Sequence, residues 1–399
     1  MDNKRFIIVA ASVSRPGTMG GNTKIAVEMA RRLPQFGWKV EVIVPNGKLP
    51  TFTNNIPPVN GLTYHTISDF CGDEFLRFMS STRHFLREID AVFGKLEVGK
   101  TDVVFVTCNF HYEILPLVWL KRKFGFCYLP SHFLFSPFVF ENLLRRYRFP
   151  AFKYLLVWFY ERTFFLLAHF FADGFVITND SDRRHFFKKI QSCLFAFYGG
   201  VNIEQIPVGE TDKTRDVVFC SRLHPQKGIE GLLEIWAMVC RQIPTAMLSV
   251  IGNGDGQYEC RLHEKAAALG IAGNVEWLGY VNNEEKYEIY RTAKVFAHST
   301  VFDNNGMVAA EALCSGLPVV MYDLPALRNV YTTGCLKIPY GEQSAFADAL
   351  FRLLSNDGFY SSVAPTPGQV DVLRAQWNWC ARIKTFSAWL ENFRSNCQA

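Results

Sequence analysis

An α/β protein of two domains, each built on a parallel sheet, is the fold class this sequence predicts, and three observations predict it. The 399 residues exceed the roughly 250–300 at which one hydrophobic core stops growing, and 49% of them are hydrophobic, enough for two cores. Short β-branched or aromatic runs alternate with longer helical patterns throughout, the signature of βα units. A polar stretch from Tyr198-Gly-Gly-Val-Asn202 to Pro207-Val-Gly-Glu-Thr-Asp212, with glycines, a proline and little periodicity, reads as the linker between two such series.

In the first series strands are expected at 6–10, 40–44, 103–107, 126–129 and 174–178, with helices over 24–33, 75–93 and much of 138–172. In the second, strands are expected at 216–220, 246–251, 275–278, 295–297 and 318–321, with helices starting near Gly228, Gln257, Glu284, Met307 and Ser344. The segment 370–393, which carries Trp377, Trp379 and Trp389, is a helical tail. The expected domains are therefore 1–200, with an aromatic and basic insertion at about 133–172, then 201–370, and a tail at 371–399 that packs back towards the first domain. There is no short-period repeat and no low-complexity tract.

Charge and cysteine usage narrow the class. Forty-two Lys and Arg against 37 Asp and Glu leave a net charge of +5, too mild for bulk nucleic-acid attraction. The 11 cysteines stand singly from Cys71 to Cys397 with no C-x-x-C pair, which fits reduced thiols and a cytoplasmic location rather than a disulfide framework or zinc site. The apolar run at 6–10 is shorter than a signal h-region and reads as a buried first strand. The nearest approach to a spanning helix, 154–172, is interrupted by Glu161 and Arg162.

Four clusters carry candidate chemistry. In Cys220-Ser-Arg-Leu-His-Pro-Gln-Lys-Gly228, a strand end leads through a basic loop to a helix start, so Arg222 and Lys227 would flank free backbone N–H groups that favour an anion. A solvated basic loop is the competing reading. Ile251-Gly-Asn-Gly-Asp-Gly256 offers a glycine turn, Gly252 included, where a ligand could approach the backbone, or else a plain βα turn. Asp303 lies in a loop after a strand, and Glu311 falls in a helix otherwise apolar and small, where an unpartnered carboxylate is costly. Gly17-Thr-Met-Gly20-Gly21 precedes the first helix without the G-x-G-x-x-G spacing of a dinucleotide fold.

Taken in order, these clusters resemble the retaining glycosyltransferases of family 4, whose GT-B fold sets two Rossmann-like domains facing each other across a cleft. The similarity is strongest over 198–354 and includes Val275-Glu-Trp-Leu-Gly-Tyr-Val281. The family signature is Glu-x7-Glu; here Glu311 matches the second position and Asp303 stands at the first. The resemblance implies that Glu311 binds the donor ribose hydroxyls, while Asp303 with backbone groups of Asn304, Asn305, Gly306, Met307 and Val308 holds the donor sugar. It further implies that Arg222 and Lys227 stabilise the departing diphosphate, that Tyr280 and Val281 meet the nucleobase, and that Gly20 and Gly21 approach the phosphates. His132, in Tyr128-Leu-Pro-Ser-His132, aligns with a family histidine near the reaction centre, or is a structural core histidine.

The implied activity is retaining transfer of a hexose-type sugar from a UDP- or GDP-sugar to a lipid-linked or polysaccharide acceptor in cell-envelope glycan synthesis. A nucleotide-sugar-binding protein without transferase activity is the alternative. No cofactor or metal is expected, because fixed Arg, Lys and a helix dipole do a cation's work; Asp180-Ser-Asp182 is read as a helix cap rather than a metal motif.

The stretch 124–172 interleaves aromatics such as Phe133, Phe138, Tyr147 and Trp158 with Arg145, Arg146, Arg148, Lys153 and Arg162. Two expectations stand side by side: peripheral attachment of 133–172 to the inner membrane face, or an enlarged core or dimer surface. Nucleic acid is not an expected partner, since no RNA-binding motif accompanies the stretch.

Overall fold

The computed structural model describes residues 4–14, 19–69, 78–108, 110–133, 151–209 and 211–398. Residues 134–150 of the aromatic and basic insertion, Gly17 of the first glycine cluster and the expected helix start at 75–77 lie outside the described residues.

The chain divides into two compact units, Met1–Gly199 together with Cys380–Ala399, and Gly200–Trp379. In the first unit, β1 (Arg5–Val9), β2 (Lys39–Pro45), β3 (Leu62–Ile67), β4 (Val103–Val106), β5 (Cys127–His132), β6 (Phe175–Ile177) and β7 (Leu194–Ala196) form a sheet ordered β3-β2-β1-β4-β5-β6-β7. In the second, β8 (Arg215–Cys220), β9 (Leu248–Ile251), β10 (Val275–Gly279), β11 (Ala293–His298), β12 (Val319–Tyr322) and β13 (Cys335–Ile338) are ordered β10-β9-β8-β11-β12-β13. All these pairings are parallel.

Parallel strands covered by helices on both faces read as continuous apolar runs, which is why the central strands were legible. Every residue of β4 is buried, as are Phe6 to Val9 of β1 and all of β9. Three strands, β3, β7 and β13, had no counterpart among the expected ones, and all three are edges. An edge strand faces solvent on one side, so Leu62-Thr-Tyr-His-Thr-Ile67 mixes polar and apolar residues and hides its conformation.

The helix His111–Phe124 is a further element beyond expectation; it carries Pro116 inside, a residue that reads locally as a breaker. The tail is two helices, Pro367–Trp377 and Trp379–Gln398, separated by Asn378 in an extended conformation. Thr366 and Gln369 form a capping box at the start of the first. In the second, Ser387 accepts a hydrogen bond from Trp38 Nε1 at 2.9 Å, and Phe386 packs edge-on against Phe6 and lies beside Phe195.

Each sheet has one place where the strand order reverses direction, between β1 and β4 and between β8 and β11. Ligands of open parallel sheets bind at the carboxyl ends of the strands at such a point, so these two places are where the site residues have to be sought.

Candidate functional site

At the β8/β11 reversal, the loops leaving β8, β9 and β11 are pressed together at glycines. Gly252 has φ of 129°, and a Cβ there would lie 1.9 Å from the carbonyl oxygen of Ser221. Ser221 and Leu223 in turn donate to the carbonyls of Ile251 at 3.0 Å and Asn253 at 2.9 Å, so the two loops prolong the pairing of their strands. Gly228, with φ of 70°, ends the short turn Pro225–Lys227 and opens the helix Ile229–Gln242; a Cβ on it would meet Ser299 O at 2.0 Å. Only glycine fits either contact.

This packing brings together Lys227 and Asp303, which are far apart in the chain. Lys227 Nζ donates to Asp303 Oδ2 at 2.7 Å. The other oxygen, Oδ1, accepts from the backbone N–H groups of Asn304 at 2.8 Å, Asn305 at 3.1 Å and Gly306 at 3.2 Å. Burial alone would raise the pKa of Asp303, but Lys227, His298 and the hydrogen bonds more than offset it and hold the carboxyl well below its ordinary range. Three of the five backbone groups named for the donor sugar are thus engaged by Asp303 itself. Gly306, with φ of 61°, then caps the helix Met307–Cys314, whose first-turn N–H groups at Met307 and Val308 have no partner inside the helix. Tyr331 Oη lies 2.8 Å from the carbonyl oxygens of both Asn305 and Gly306 and fixes the turn.

Arg222 stands on the same β8 loop, exposed, and makes no ion pair among the described residues. Lys227 is balanced by Asp303 and Arg222 is not, so the loop keeps a net positive charge suited to an anion. His298, buried at the end of β11, is pulled down to about 4 by burial and is neutral at pH 7.

Glu311 is 2% exposed among Ala309, Ala310, Ala312 and Leu313, and its partner is Lys286, itself 8% exposed, whose Nζ donates to Oε2 at 2.9 Å. Lys286 also donates to Asn283 Oδ1 at 3.2 Å and lies 4.7 Å from the centre of the Tyr287 ring. The sequence reading did not single out Lys286. Its signal was positional: in the helix Asn283–Thr292 it occupies a buried face with Tyr287, Ile289 and Tyr290, where a lysine needs a carboxylate. Tyr280, 63% exposed, and half-buried Val281 follow β10 just before that helix.

The remaining candidates belong to the first unit. Gly20 caps the helix Gly21–Arg32 and donates its N–H to Ser14 Oγ at 3.2 Å, and a Cβ there would crowd Asn22 Oδ1 at 3.0 Å. His132 ends β5, fully buried, with Nε2 3.7 Å from Glu161 Oε1 and its ring edge-on to Phe165. Burial lowers its pKa, and Glu161 opposes the shift without reversing it. Glu161, noted in the sequence only as a charge interrupting an apolar helix, thus faces the histidine.

The β1/β4 reversal holds a residue that the sequence reading missed. Glu113, fully buried in the first turn of His111–Phe124, accepts from Ser12 N at 2.7 Å through Oε1. Burial pushes its pKa up to about 8, against the opposing pull of Ser12 and of the Lys48 charge. Beside it Ser12 Oγ and Tyr112 Oη lie 3.0 Å apart, and the exposed Phe110 stacks on Tyr112.

The expected cap at Asp180-Ser-Asp182 needs correcting by one residue. Asn179 caps this turn, its Oδ1 accepting from Ser181 N at 2.9 Å, because an Asx side chain bonds the amide two residues on. Asp180 instead pairs with Arg183 at 2.6 Å.

Comparison with known proteins bears on the second unit. Residues 202–365 match the family model described as glycosyl transferases group 1. The second unit is a glycosyl transferases group 1 domain. Arg222, Lys227, Lys286, Asp303 and Glu311 all lie inside the matched segment of this group 1 domain. The phosphatidyl-myo-inositol mannosyltransferase of Mycobacterium leprae is 30% identical over 193 residues, 46% of this chain and 50% of that protein, so the chain spans about half the length of this relative. Mannosylfructose-phosphate synthase of Agrobacterium fabrum is 30% identical over 138 residues, 33% of this chain and 29% of that protein. Among solved structures, sucrose-phosphate synthase of Thermosynechococcus elongatus superposes with a TM-score of 0.78 at 17% identity, covering 99% of this chain and 100% of that one. HepE of Anabaena, solved with UDP and glucose, gives 0.73 at 13% identity over 98% of this chain and 100% of that one. The group 1 domain and the first unit together have the GT-B fold of these proteins.

Proposed function

We propose that the chain is a retaining glycosyltransferase that moves a hexose-type sugar from a UDP- or GDP-sugar to a lipid-linked or polysaccharide acceptor in cell-envelope glycan synthesis. The observation that carries this reading is the charge arrangement in the group 1 domain. An unpaired Arg222 and the Lys227–Asp303 pair sit on neighbouring strand ends, and a buried carboxylate, Glu311, is held by Lys286.

In transfer, the bond from the anomeric carbon to the diphosphate oxygen breaks, the acceptor hydroxyl oxygen bonds to that carbon, and the hydroxyl proton passes to the departing diphosphate oxygen. Negative charge grows on the diphosphate as the bond opens, so cations aimed at it act most strongly in the transition state. Arg222 and Lys227 are assigned this task, which leaves the reaction without need of a metal or other cofactor. Asp303 orients Lys227 and holds the donor sugar with the turn that leads to Met307 and Val308. Glu311 accepts the ribose hydroxyls, and Tyr280 and Val281 flank the base. Gly20 and Gly21 let the first unit's loop approach the phosphates, and neutral His132 is assigned to the reacting sugar. The mannosyltransferase relative and the UDP-bound neighbour support a nucleotide-sugar donor, while retention rests on the resemblance to family 4. The reading includes a cytoplasmic location with peripheral contact to the inner membrane face. No helix among the described residues is long and apolar enough to cross a membrane.

The test is mass spectrometry of products after purified protein is offered UDP- and GDP-sugars with a lipid extract. A glycosylated lipid with release of UDP or GDP is expected. Donor binding with neither transfer nor hydrolysis would leave a nucleotide-sugar-binding protein, and no binding of either donor would end the reading.

A further inference from the structure

The helix Ala151–Phe171 turns one face into the core of the first unit and leaves another bare. Phe164, Phe165 and Ala168 are buried, while Leu155, Phe159, Leu166 and Phe170 are exposed, the last to 72%. At 3.6 residues per turn these four fall on a single stripe, with Leu156 at its margin, and the stripe runs about 22 Å along the helix. It continues past the helix end onto Phe187, also exposed, whose ring centre lies 6.3 Å from that of Phe170. A core helix would send such residues inward; an outward stripe of four large apolar side chains, broken at its middle turn by the exposed Thr163, marks a surface made to meet something apolar.

The charges around the stripe select what that is. Arg184, Lys188 and Lys189 are exposed around Phe187 and form no ion pair among the described residues. On the neighbouring helix His111–Phe124, exposed Arg122 lies over the Phe171 ring at 4.9 Å, three residues beyond the exposed Trp119. Apolar side chains bounded by cations and aromatics, on a helix unable to span a bilayer, have the composition of a helix lying in the headgroup region of an anionic leaflet.

We propose that this face is a docking surface for an anionic lipid bilayer, with Phe170 and Phe187 entering the interface and Arg184, Lys188 and Lys189 meeting the lipid phosphates. The proposal deepens the transfer reading and rests on it for the presence of a lipid-linked acceptor at that surface. It sharpens the contact expected for 133–172 by fixing the face, and by adding Phe187 and its neighbours, which the sequence reading left out.

The experiment is flotation of the full chain with vesicles of phosphatidylcholine alone and of phosphatidylcholine with phosphatidylglycerol, with UDP and GDP binding measured on the same samples. Flotation with the anionic vesicles only, weakened by added salt, is expected. The double variant Phe170→Glu/Phe187→Glu is expected to stay at the bottom. Lys188→Ala/Lys189→Ala should bind roughly 30-fold more weakly, from two basic groups at about 1 kcal/mol each. Wild-type protein that stays at the bottom with both vesicle types overturns the proposal. So does equal flotation of the Phe170→Glu/Phe187→Glu variant, or a dimer in light scattering that this variant dissociates, which would assign the face to a second copy. Lost flotation with intact nucleotide binding supports the surface as drawn. Retained anionic flotation without nucleotide binding also supports it, and sinks only the transfer reading.

Discussion

The two sheets share a strand order and differ in what stands where that order reverses. Between β8 and β11 the carboxyl is the half-buried Asp303, with Lys227 Nζ at 2.7 Å, and its pKa lies well below the ordinary range. Between β1 and β4 it is Glu113, whose first oxygen meets a backbone amide, and its pKa is pushed up to about 8. Burial acts on both acids in the same direction. What decides the outcome is a cation within hydrogen-bond reach in one unit and, among the described residues, its absence at that distance in the other. Topology therefore supplies a place and the residues supply the chemistry: a loop that keeps the unpaired cation Arg222 in the second unit, and a protonated carboxyl beside stacked aromatics in the first.

The largest effect should come from removing the cation that makes this difference. On the proposed reading, Lys227→Ala lowers kcat by roughly 10²–10³-fold, the scale of losing one stabiliser of developing negative charge. Turnover of donor measured by nucleotide release checks it, and unchanged turnover removes the assignment. Next in size is Glu311→Gln, which should raise the donor KM by roughly 30-fold, within the range of about 1.5–3 kcal/mol for a hydrogen bond to a charged group, with kcat little changed. A parallel fall in kcat with constant KM would contradict a ground-state role in ribose binding. Smaller still is Asp303→Glu. Although it restores the family's first Glu, it is expected to cost about tenfold in kcat/KM, because the longer side chain moves the carboxylate off the amides of Asn304, Asn305 and Gly306. A gain in activity would show that those bonds do not position the acid.

The contrast also marks what could be read from sequence. Arg222 and Lys227 could be singled out because they stand on a basic loop at a helix start, Glu311 because it is a carboxylate in a helix otherwise apolar and small, and Asp303 through its spacing to Glu311. Lys286 and Glu113 were not, because a buried charge takes its meaning from a neighbour distant in sequence. Lys286 faces Glu311 across 25 positions, and Glu113 faces Ser12 across 101. The same holds for the fold. Central strands such as β4 announce themselves as apolar runs, whereas the edge β3 mixes polar and apolar residues and the edge β7 is only three residues long. Asp303 shows a third limit: its spacing to Glu311 is visible in the sequence, but the turn that holds its carboxylate is a property of three backbone amides.

The last way to break the comparison is through pH. The folded-state pKa of Glu113, about 8, lies above its ordinary 4.5, so between these values the native protein keeps a proton that the unfolded chain releases. The stability that this proton confers is complete below pH 4.5 and is lost as pH rises towards 8, with a slope of up to about 1.4 kcal/mol per pH unit. Asp303 works in the opposite sense: its depressed pKa contributes stability that is present above the ordinary 3.8 and is lost as pH falls below it. Glu113→Gln keeps a neutral group of similar shape, so its melting temperature should match wild type near pH 5 and exceed it at pH 8. Glu113 lies in the first unit, so the gain belongs to the unfolding of that unit. Calorimetry at the two pH values tests this directly. If wild type and Glu113→Gln lose stability equally between them, the carboxyl is ionised in the folded state, and the difference drawn between the two reversal points disappears.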